Sequence, residues 1–143
     1  VHLNESSLPI HVRMRTGTVM SILNTATGRV FSAYLPPMAV EKLVAGEVAE
    51  ATAGSQLARK MSRNDLEAML AEVRRHGMAR IVGEPVAGIN VMSVPVFDHS
   101  GNIVLAVTVI GPMGSLDPAW NGDIAKRMKE SARRISSQLG HRE

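Results

Sequence analysis

The side chains that most often carry out chemistry in proteins are few and scattered in this chain. It has no cysteine, which excludes a thiolate nucleophile, a disulfide and a cysteine-rich zinc site. No two histidines have the i, i+4 spacing that places two metal ligands on one helix face. We therefore expect no metal and no other cofactor; a metal site assembled from distant histidines is the open alternative. The histidines are His2, His11, His76, His99 and His141.

The carboxylates give no clear acid–base pair. Asp98 and His99 are adjacent, but they lie in a stretch of turn composition, where Asp is explained by bonds to its own backbone. Glu84, between Gly83 and Pro85, either holds a loop over a binding site or is an exposed loop acid. A nucleophile elbow, a P-loop and a dinucleotide fingerprint are all missing from the sequence. The chain is therefore not expected to be an enzyme.

Length and composition indicate one domain with an aliphatic core. The 143 residues are a usual domain size, and aromatic residues are only 3% against 45% for all apolar ones. No apolar run approaches the ~20 residues that span a bilayer, and no signal peptide is visible. We expect a cytoplasmic protein with no membrane partner. Because the chain begins at Val1 rather than Met, we also expect that it is cut from a longer protein.

Basic residues are concentrated at one place near the end of the chain. The net charge of +3 is mild, and the densest basic cluster spans residues 126–134 of a predicted helix. Aromatic residues do not interleave with this cluster, so a solvated helix face explains it better than a contact with DNA phosphates.

The elements that must position any site begin with a strand and a short helix. Apolar and polar residues alternate over residues 8–15, which indicates a half-buried strand. Residues 25–35 are expected to form a helix that Asn24 or Thr25 caps and that the following prolines end. Gly28 inside this helix indicates close approach by a ligand or by another backbone.

Two further helices are expected before the sheet. The first runs over residues 37–45 and is broken by Gly46 and Glu47, and residues 49–61 are ambiguous. Ser62, with an acid three residues later, resembles a capping box and opens the second helix. Gly77 ends that helix.

The second half of the chain predicts strands and a closing helix. Strands are expected at residues 79–82, 89–97 and 103–111, the last two joined as a hairpin. The third strand is apolar on both faces and should be central in the sheet. Asp117 and Pro118 are expected to begin the last helix. The order of elements predicts an α+β fold, an antiparallel sheet with helices against it.

Two blocks of residues carry a resemblance to a known family. Both occur in the family's order, and with the closing helix they cover nearly the whole chain. The first block comprises Arg74–Gly77, Gly83-Glu84, Gly88, Pro95-Val96-Phe97-Asp98, Gly101 and Gly111-Pro112, and the second Arg15-Thr16-Gly17, Ala26-Thr27-Gly28-Arg29 and Ala33. In these blocks the chain resembles the C-terminal effector-binding domain of IclR-type transcription regulators.

The resemblance implies a GAF-like, profilin-like fold, with a curved antiparallel sheet and flanking helices that hold a pocket. It implies a small organic effector and a homodimer or homotetramer. A winged helix-turn-helix domain would normally precede this one, so operator DNA would be bound only through that N-terminal part. The alternatives are a GAF-like sensor module of another signalling protein and a small enzyme on an α+β scaffold.

The resemblance also places the effector between the helix at residues 25–35 and the sheet. Members that bind pyruvate or glyoxylate have an acid at the position of Ile81, and this chain does not. They have cysteine at the position of Val91 and serine at those of Thr108 and Ile110, where this chain also departs. The implied effector-binding residues are Met20, Ala26, Thr27, Gly28, Ile81, Ile89, Val91, Thr108 and Ile110.

These departures bear on the chemistry of the effector. A buried polar ligand group that lacks a partner costs about 1–3 kcal/mol for each hydrogen bond lost, and the implied lining offers few donors. We therefore expect a larger, more apolar effector such as an aromatic acid, whose carboxylate meets the helix start near residues 25–28. A collapsed pocket, in which these residues are simply core, is the alternative.

Overall fold

The structure, a computed structural model, describes residues 21–50, 62–83 and 87–142. The predicted strand over residues 8–15, most of the segment 49–61 and the loop acid Glu84 lie outside the described residues. None of the described helices combines the length and apolar character that a membrane crossing needs. In chain order the described elements are α1 (Ala26–Tyr34), α2 (Pro37–Glu50), α3 (Arg63–His76), β1 (Ala79–Val82), β2 (Ile89–Phe97), β3 (Ile103–Pro112) and α4 (Asp123–Gln138).

The three strands form one antiparallel sheet in the order β1-β2-β3. Val91 in β2 pairs with Ile81 in β1 and with Ile110 in β3. Ser93 in β2 pairs with Thr108 in β3. Directly paired residues point to the same face of a sheet, so this register fixes which side chains meet. The predicted α+β class is confirmed, as is the hairpin that joins β2 and β3.

Two residues of β3 differ from the prediction of a covered strand. Within the described residues β2 lies between β1 and β3, and β3 pairs with β2. Val104 and Leu105 are 40% and 53% exposed, so β3 is not covered on both faces at these two residues. The strand predicted over residues 8–15 lies outside the described residues, so the central position of β3 stays a prediction.

Helices cover both faces of the sheet. On one face, buried residues of β2 pack against α4 and the segment before it; on the other, residues of all three strands pack against α1 and α3. Successive side chains of β2 point to opposite faces of the sheet, so this strand contributes residues to both layers. The first layer contains Met92, Val94, Val96, Leu116, Ala125, Met128 and Ala132. The second contains Ala26, Val30, Ala33, Val73, Ala79, Ile81 and Ile103.

Short-range capping signals are confirmed for two helices. The Thr25 side chain accepts a 2.9 Å hydrogen bond from the backbone N–H of Gly28 at the start of α1. Ser62 accepts from Asp65 N–H at the start of α3, and Gly77 ends that helix with a φ of 63°, a left-handed conformation that glycine adopts without cost. These bonds satisfy donors that a helix cannot pair internally.

Two other helix boundaries were predicted wrongly. The helix α2 continues through Gly46 and Glu47 to Glu50, because a glycine inside a helix costs only about 1 kcal/mol, which other contacts can offset. The helix α4 begins at Asp123, after Gly122. Asp117 accepts instead from the N–H of Ala119, so the Asp-Pro pair forms a separate turn upstream of the helix.

Trp120 lies in the segment before α4 and contacts the end of α3. Its ring stacks on the His76 ring with centroids 4.1 Å apart and planes 3° apart. The Arg80 guanidinium carbon lies 4.1 Å from the Trp120 ring centroid. Partial burial lowers the pKa of His76, and the nearby cations Arg75, Lys129 and Arg80 lower it further, against an opposing effect of Glu72.

This stack makes the protonation of His76 visible in fluorescence. Trp120 is the one tryptophan of the chain, and a protonated imidazole quenches an indole stacked against it. We expect the emission to fall as the pH falls, with a midpoint below the ordinary histidine value of about 6.5. His76→Gln should abolish the titration, whereas His99→Gln in the exposed hairpin turn should not. A midpoint at or above the ordinary value would contradict this assignment.

Candidate functional site

The structure brings most of the predicted site residues to one place. Met20 lies outside the described residues. The others lie either on the first turn of α1 or on the sheet face that α1 covers, because α1 packs across all three strands. The residues on the helix are Ala26, Thr27 and Gly28, and those on the sheet are Ile81, Ile89, Val91, Thr108 and Ile110.

A chain of three hydroxyl groups connects α1 to the sheet. The Oγ1 atoms of Thr27 and Thr108 share a 2.8 Å hydrogen bond, and Thr108 Oγ1 shares a 2.9 Å bond with Ser93 Oγ. Three hydroxyls carry three hydrogens, and these two bonds use two. One hydroxyl hydrogen is therefore not used by these two bonds.

Ser93 was missed in the sequence prediction. It is fully buried and lies two positions from Val91 on β2, so the period of two along a strand places both side chains on one face. That periodicity was the available signal. The resemblance did not single out Ser93.

The rest of this face is aliphatic. Val91 lies between Ile81 and Ile110 across the three strands, and Ala26 packs from the helix in the same cluster. Val91 and Ile110 are half-buried, whereas Ile81 is buried. The site thus combines an apolar surface with hydroxyl groups at one end of it.

A turn at residues 21–24 leads into α1, and Glu47 of α2 holds it. The Glu47 carboxylate accepts from the Ser21 hydroxyl and, at 2.7 Å, from the backbone N–H of Ile22. Arg29 donates from Nε to the carbonyl of Leu23 at 2.9 Å, and burial lowers the pKa of this guanidinium despite the opposing effect of Glu72. The sequence prediction treated Glu47 as a helix breaker, and local sequence holds no signal for a bond to a residue 25 positions away.

Gly28 lies where the first turn of α1 meets the backbone that precedes it. Its N–H is already bonded to the Thr25 side chain. A Cβ on Gly28 would lie 2.5 Å from the carbonyl oxygens of both Ser21 and Ile22. The close approach that the glycine predicted is therefore made by backbone. Helix geometry gives no internal partner to the N–H groups of Ala26 and Thr27, and these are the donors that remain.

Other chemistry finds little support at this site. In the described ranges, no three His, Asp or Glu side chains converge as a metal ligand set would. The groups at the first turn of α1 and on the sheet beneath it are hydroxyls, amides and aliphatic side chains. Such groups offer hydrogen bonds and apolar contact, and the elements that carry them form an α+β scaffold.

Comparison with known proteins identifies the family. A family model described as "Bacterial transcriptional regulator IclR C-terminal" matches residues 1–137. The chain therefore belongs to the IclR family of bacterial transcriptional regulators, as its sequence resemblance implied.

Individual relatives agree with this assignment. The crystal structure of HmgR from Pseudomonas aeruginosa superposes with a TM-score of 0.81 at 28% identity, covering 96% of this chain and 53% of that one. The E. coli K12 regulator RhmR is 26% identical over 136 residues, which are 95% of this chain and 51% of RhmR. The C-terminal domain of E. coli KdgR, at 24% identity and a TM-score of 0.68, shares the fold over 84% of this chain and 71% of that one. The chain thus spans about half the length of RhmR.

The hydroxyl chain should contribute measurably to stability. Thr108→Val keeps the side-chain shape but removes the hydroxyl where both bonds meet, which takes from buried Ser93 its bonding partner. We expect the free energy of unfolding, measured with urea, to fall by about 1–3 kcal/mol. Thr108→Ser keeps the hydroxyl and should lose less than about 1 kcal/mol. Equal losses for the two variants would show that the hydroxyl bonds contribute nothing.

Gly28 and Gly46 offer a matched pair for the close approach. Gly28→Ala places a methyl group against two carbonyl oxygens, and we expect a loss of at least about 1–3 kcal/mol in the free energy of unfolding. Gly46 lies in α2 with nothing within 4 Å of a built Cβ, so Gly46→Ala should gain about 0.5–1 kcal/mol. Thermal or urea unfolding measures both, and a neutral Gly28→Ala would refute the packing described.

Proposed function

We propose that this chain senses a small organic molecule on behalf of a longer IclR-family regulator. The proposed effector has an apolar body, such as an aromatic ring, and a carboxylate. The observation that carries this proposal is the meeting of a hydroxyl chain with an aliphatic surface on one face of the sheet, under the first turn of α1. Met20 and Ile89 belong to the proposed lining together with the residues described above.

The donors suit a single carboxylate. The spare hydroxyl hydrogen of the chain through Thr27, Thr108 and Ser93 can reach one oxygen. The N–H groups of Ala26 and Thr27 lie at a helix N-terminus, where an anion is favoured by about 0.3–1 kcal/mol. The Glu47 carboxylate already places one negative charge at the neighbouring turn. A ligand carboxylate there adds a second, so it must be stabilised by hydrogen bonds from these hydroxyl and N–H donors.

The apolar part of the surface argues against a very small keto acid. Pyruvate and glyoxylate present oxygens over most of their surface, and each oxygen without a donor costs about 1–3 kcal/mol. Ile81, Val91 and Ile110 offer none. An aromatic ring instead buries apolar surface against them, which contributes about 25 cal/mol for each Å² removed from water.

The whole regulator is proposed to work through a second domain. The chain covers only 51% of RhmR and 53% of HmgR, which leaves room for a winged helix-turn-helix domain before it. We propose that this N-terminal domain binds operator DNA in the cytoplasm and that the regulator assembles as a dimer or tetramer. The family match favours this organisation over a sensor module of another signalling protein.

Calorimetry on the isolated chain tests the proposed effector class. We expect benzoate-like acids to bind and glyoxylate to bind far more weakly. Thr27→Val should weaken the binding of the aromatic acid about tenfold, since a lost hydrogen bond of about 1.4 kcal/mol equals that factor. Ser131→Ala, on the exposed side of α4, is the matched control and should change nothing. Tight binding of glyoxylate with no response to aromatic acids would refute the proposal.

A DNA-binding assay tests the regulatory part separately. The full-length regulator is mixed with a labelled fragment of the DNA upstream of its own gene, and fluorescence anisotropy gives the Kd with and without the acid that calorimetry identifies. We expect the acid to change this Kd in the wild type and much less in the Thr27→Val variant. An unchanged Kd would leave the ligand site standing and remove its role in DNA binding.

A further inference from the structure

A groove lies beside the free edge of β2, away from the proposed effector site. β1 pairs with β2 only as far as Ser93, so the stretch from Val94 to Phe97 has no β1 neighbour. The groove there has a volume of about 800 Å³, and ligand pockets for small molecules are commonly about 300–1,000 Å³. The ends of α1 and α3, the second half of α4 and the residues after α4 form its walls.

The edge of β2 in this groove is poorly suited to pairing with another strand. Pro95 has no N–H to donate. The N–H of Phe97 is already given to the Ser136 side chain at 2.9 Å, and the Ser136 hydroxyl is in turn donated to the carbonyl of Ala132. A register irregularity at Val96 and Phe97 further disturbs the strand. An occupant of this groove must therefore be recognised by side chains.

The side chains of the groove carry strong positive charge. One lysine and three arginines line it, together with a single described carboxylate, that of Glu130. Burial and the neighbouring charge of Arg133 lower the pKa of Lys129, as expected where cations crowd one another. The cations are Lys129, Arg133, Arg134 and Arg142, and His141 stands beside them.

The floor of the groove is apolar and aromatic. The rings of Tyr34 and Phe97 meet edge to face with centroids 5.1 Å apart, and the His141 ring lies 5.3 Å from that of Phe97. Burial raises the pKa of the Tyr34 hydroxyl, against an opposing effect of Arg74, so this group stays a hydrogen-bond donor at neutral pH. A flat apolar body can lie on this floor while its charges face the cations.

From these observations we propose that the groove is a second small-molecule site, which binds organic anions that have a flat apolar body. The positive rim selects sulfonate, carboxylate or phosphate groups, and the ring cluster of Tyr34, Phe97 and His141 selects the body. This site shares no residue with the proposed effector site. Its existence therefore does not depend on the proposed function.

The probe for this site is 8-anilino-1-naphthalenesulfonate, which combines a flat aromatic body with one anionic group. Fluorescence titration of the folded chain should show saturable binding. The double variant Lys129→Gln/Arg133→Gln should weaken it at least tenfold. The matched control Lys126→Gln/Arg127→Gln removes the same charge from exposed positions nearer the start of the same helix, outside the groove lining, and should stay within twofold of wild type.

A variant that fills the groove keeps the test independent of charge. Ser137 is exposed on the wall of the groove, and Ser137→Trp should weaken binding of the probe at least tenfold while the circular dichroism of the chain stays unchanged. The proposal is overturned if wild type does not bind the probe, if both charge pairs weaken binding equally, or if Ser137→Trp binds like wild type. Thr27→Val should leave the titration unchanged, because it belongs to the other site.

Discussion

The approach of α1 to the backbone of residues 21 and 22 is the constraint on which the candidate site depends. Only a glycine at position 28 allows the helix to lie against the carbonyl oxygens of Ser21 and Ile22. Glu47 fixes the same turn from α2. With the first turn of α1 held in this way, Thr27 meets Thr108, and the hydroxyl chain to Ser93 follows from the strand register.

The sheet separates the two layers of the domain. Alternation along β2 sends Val91 and Ser93 towards α1 and sends Met92 and Val94 towards α4. The proposed effector site therefore lies in the α1 layer, whereas the groove beside α4 is lined by residues of both layers. Both proposed sites include residues of β2, which pairs with β1 and with β3.

The extent to which the sequence predicted this structure follows from the range of each interaction. Thr25, Ser62 and Gly77 act on atoms within a few residues of themselves, so their roles were predictable from local spacing. Two predictions from the same local rules were wrong. Gly46 does not end α2, because a glycine inside a helix costs little free energy. Asp117 caps a turn upstream of α4 rather than the helix itself. Glu47 could not be predicted, since its partners are 25 and 26 positions away. The position of the site came from the family resemblance, whereas the hydroxyl chain came only from the register of the sheet.

The positions of the candidate site are fixed by two different kinds of contact. Gly28 is required by the backbone, because a Cβ there would lie 2.5 Å from the carbonyl oxygens of Ser21 and Ile22. Across the strands, the side chain of Val91 instead lies between those of its paired neighbours Ile81 and Ile110. Any set of side chains that fits this register keeps the sheet intact. Side chains at these three positions can therefore change the chemistry of the surface, while the backbone contact of Gly28 holds the helix above it.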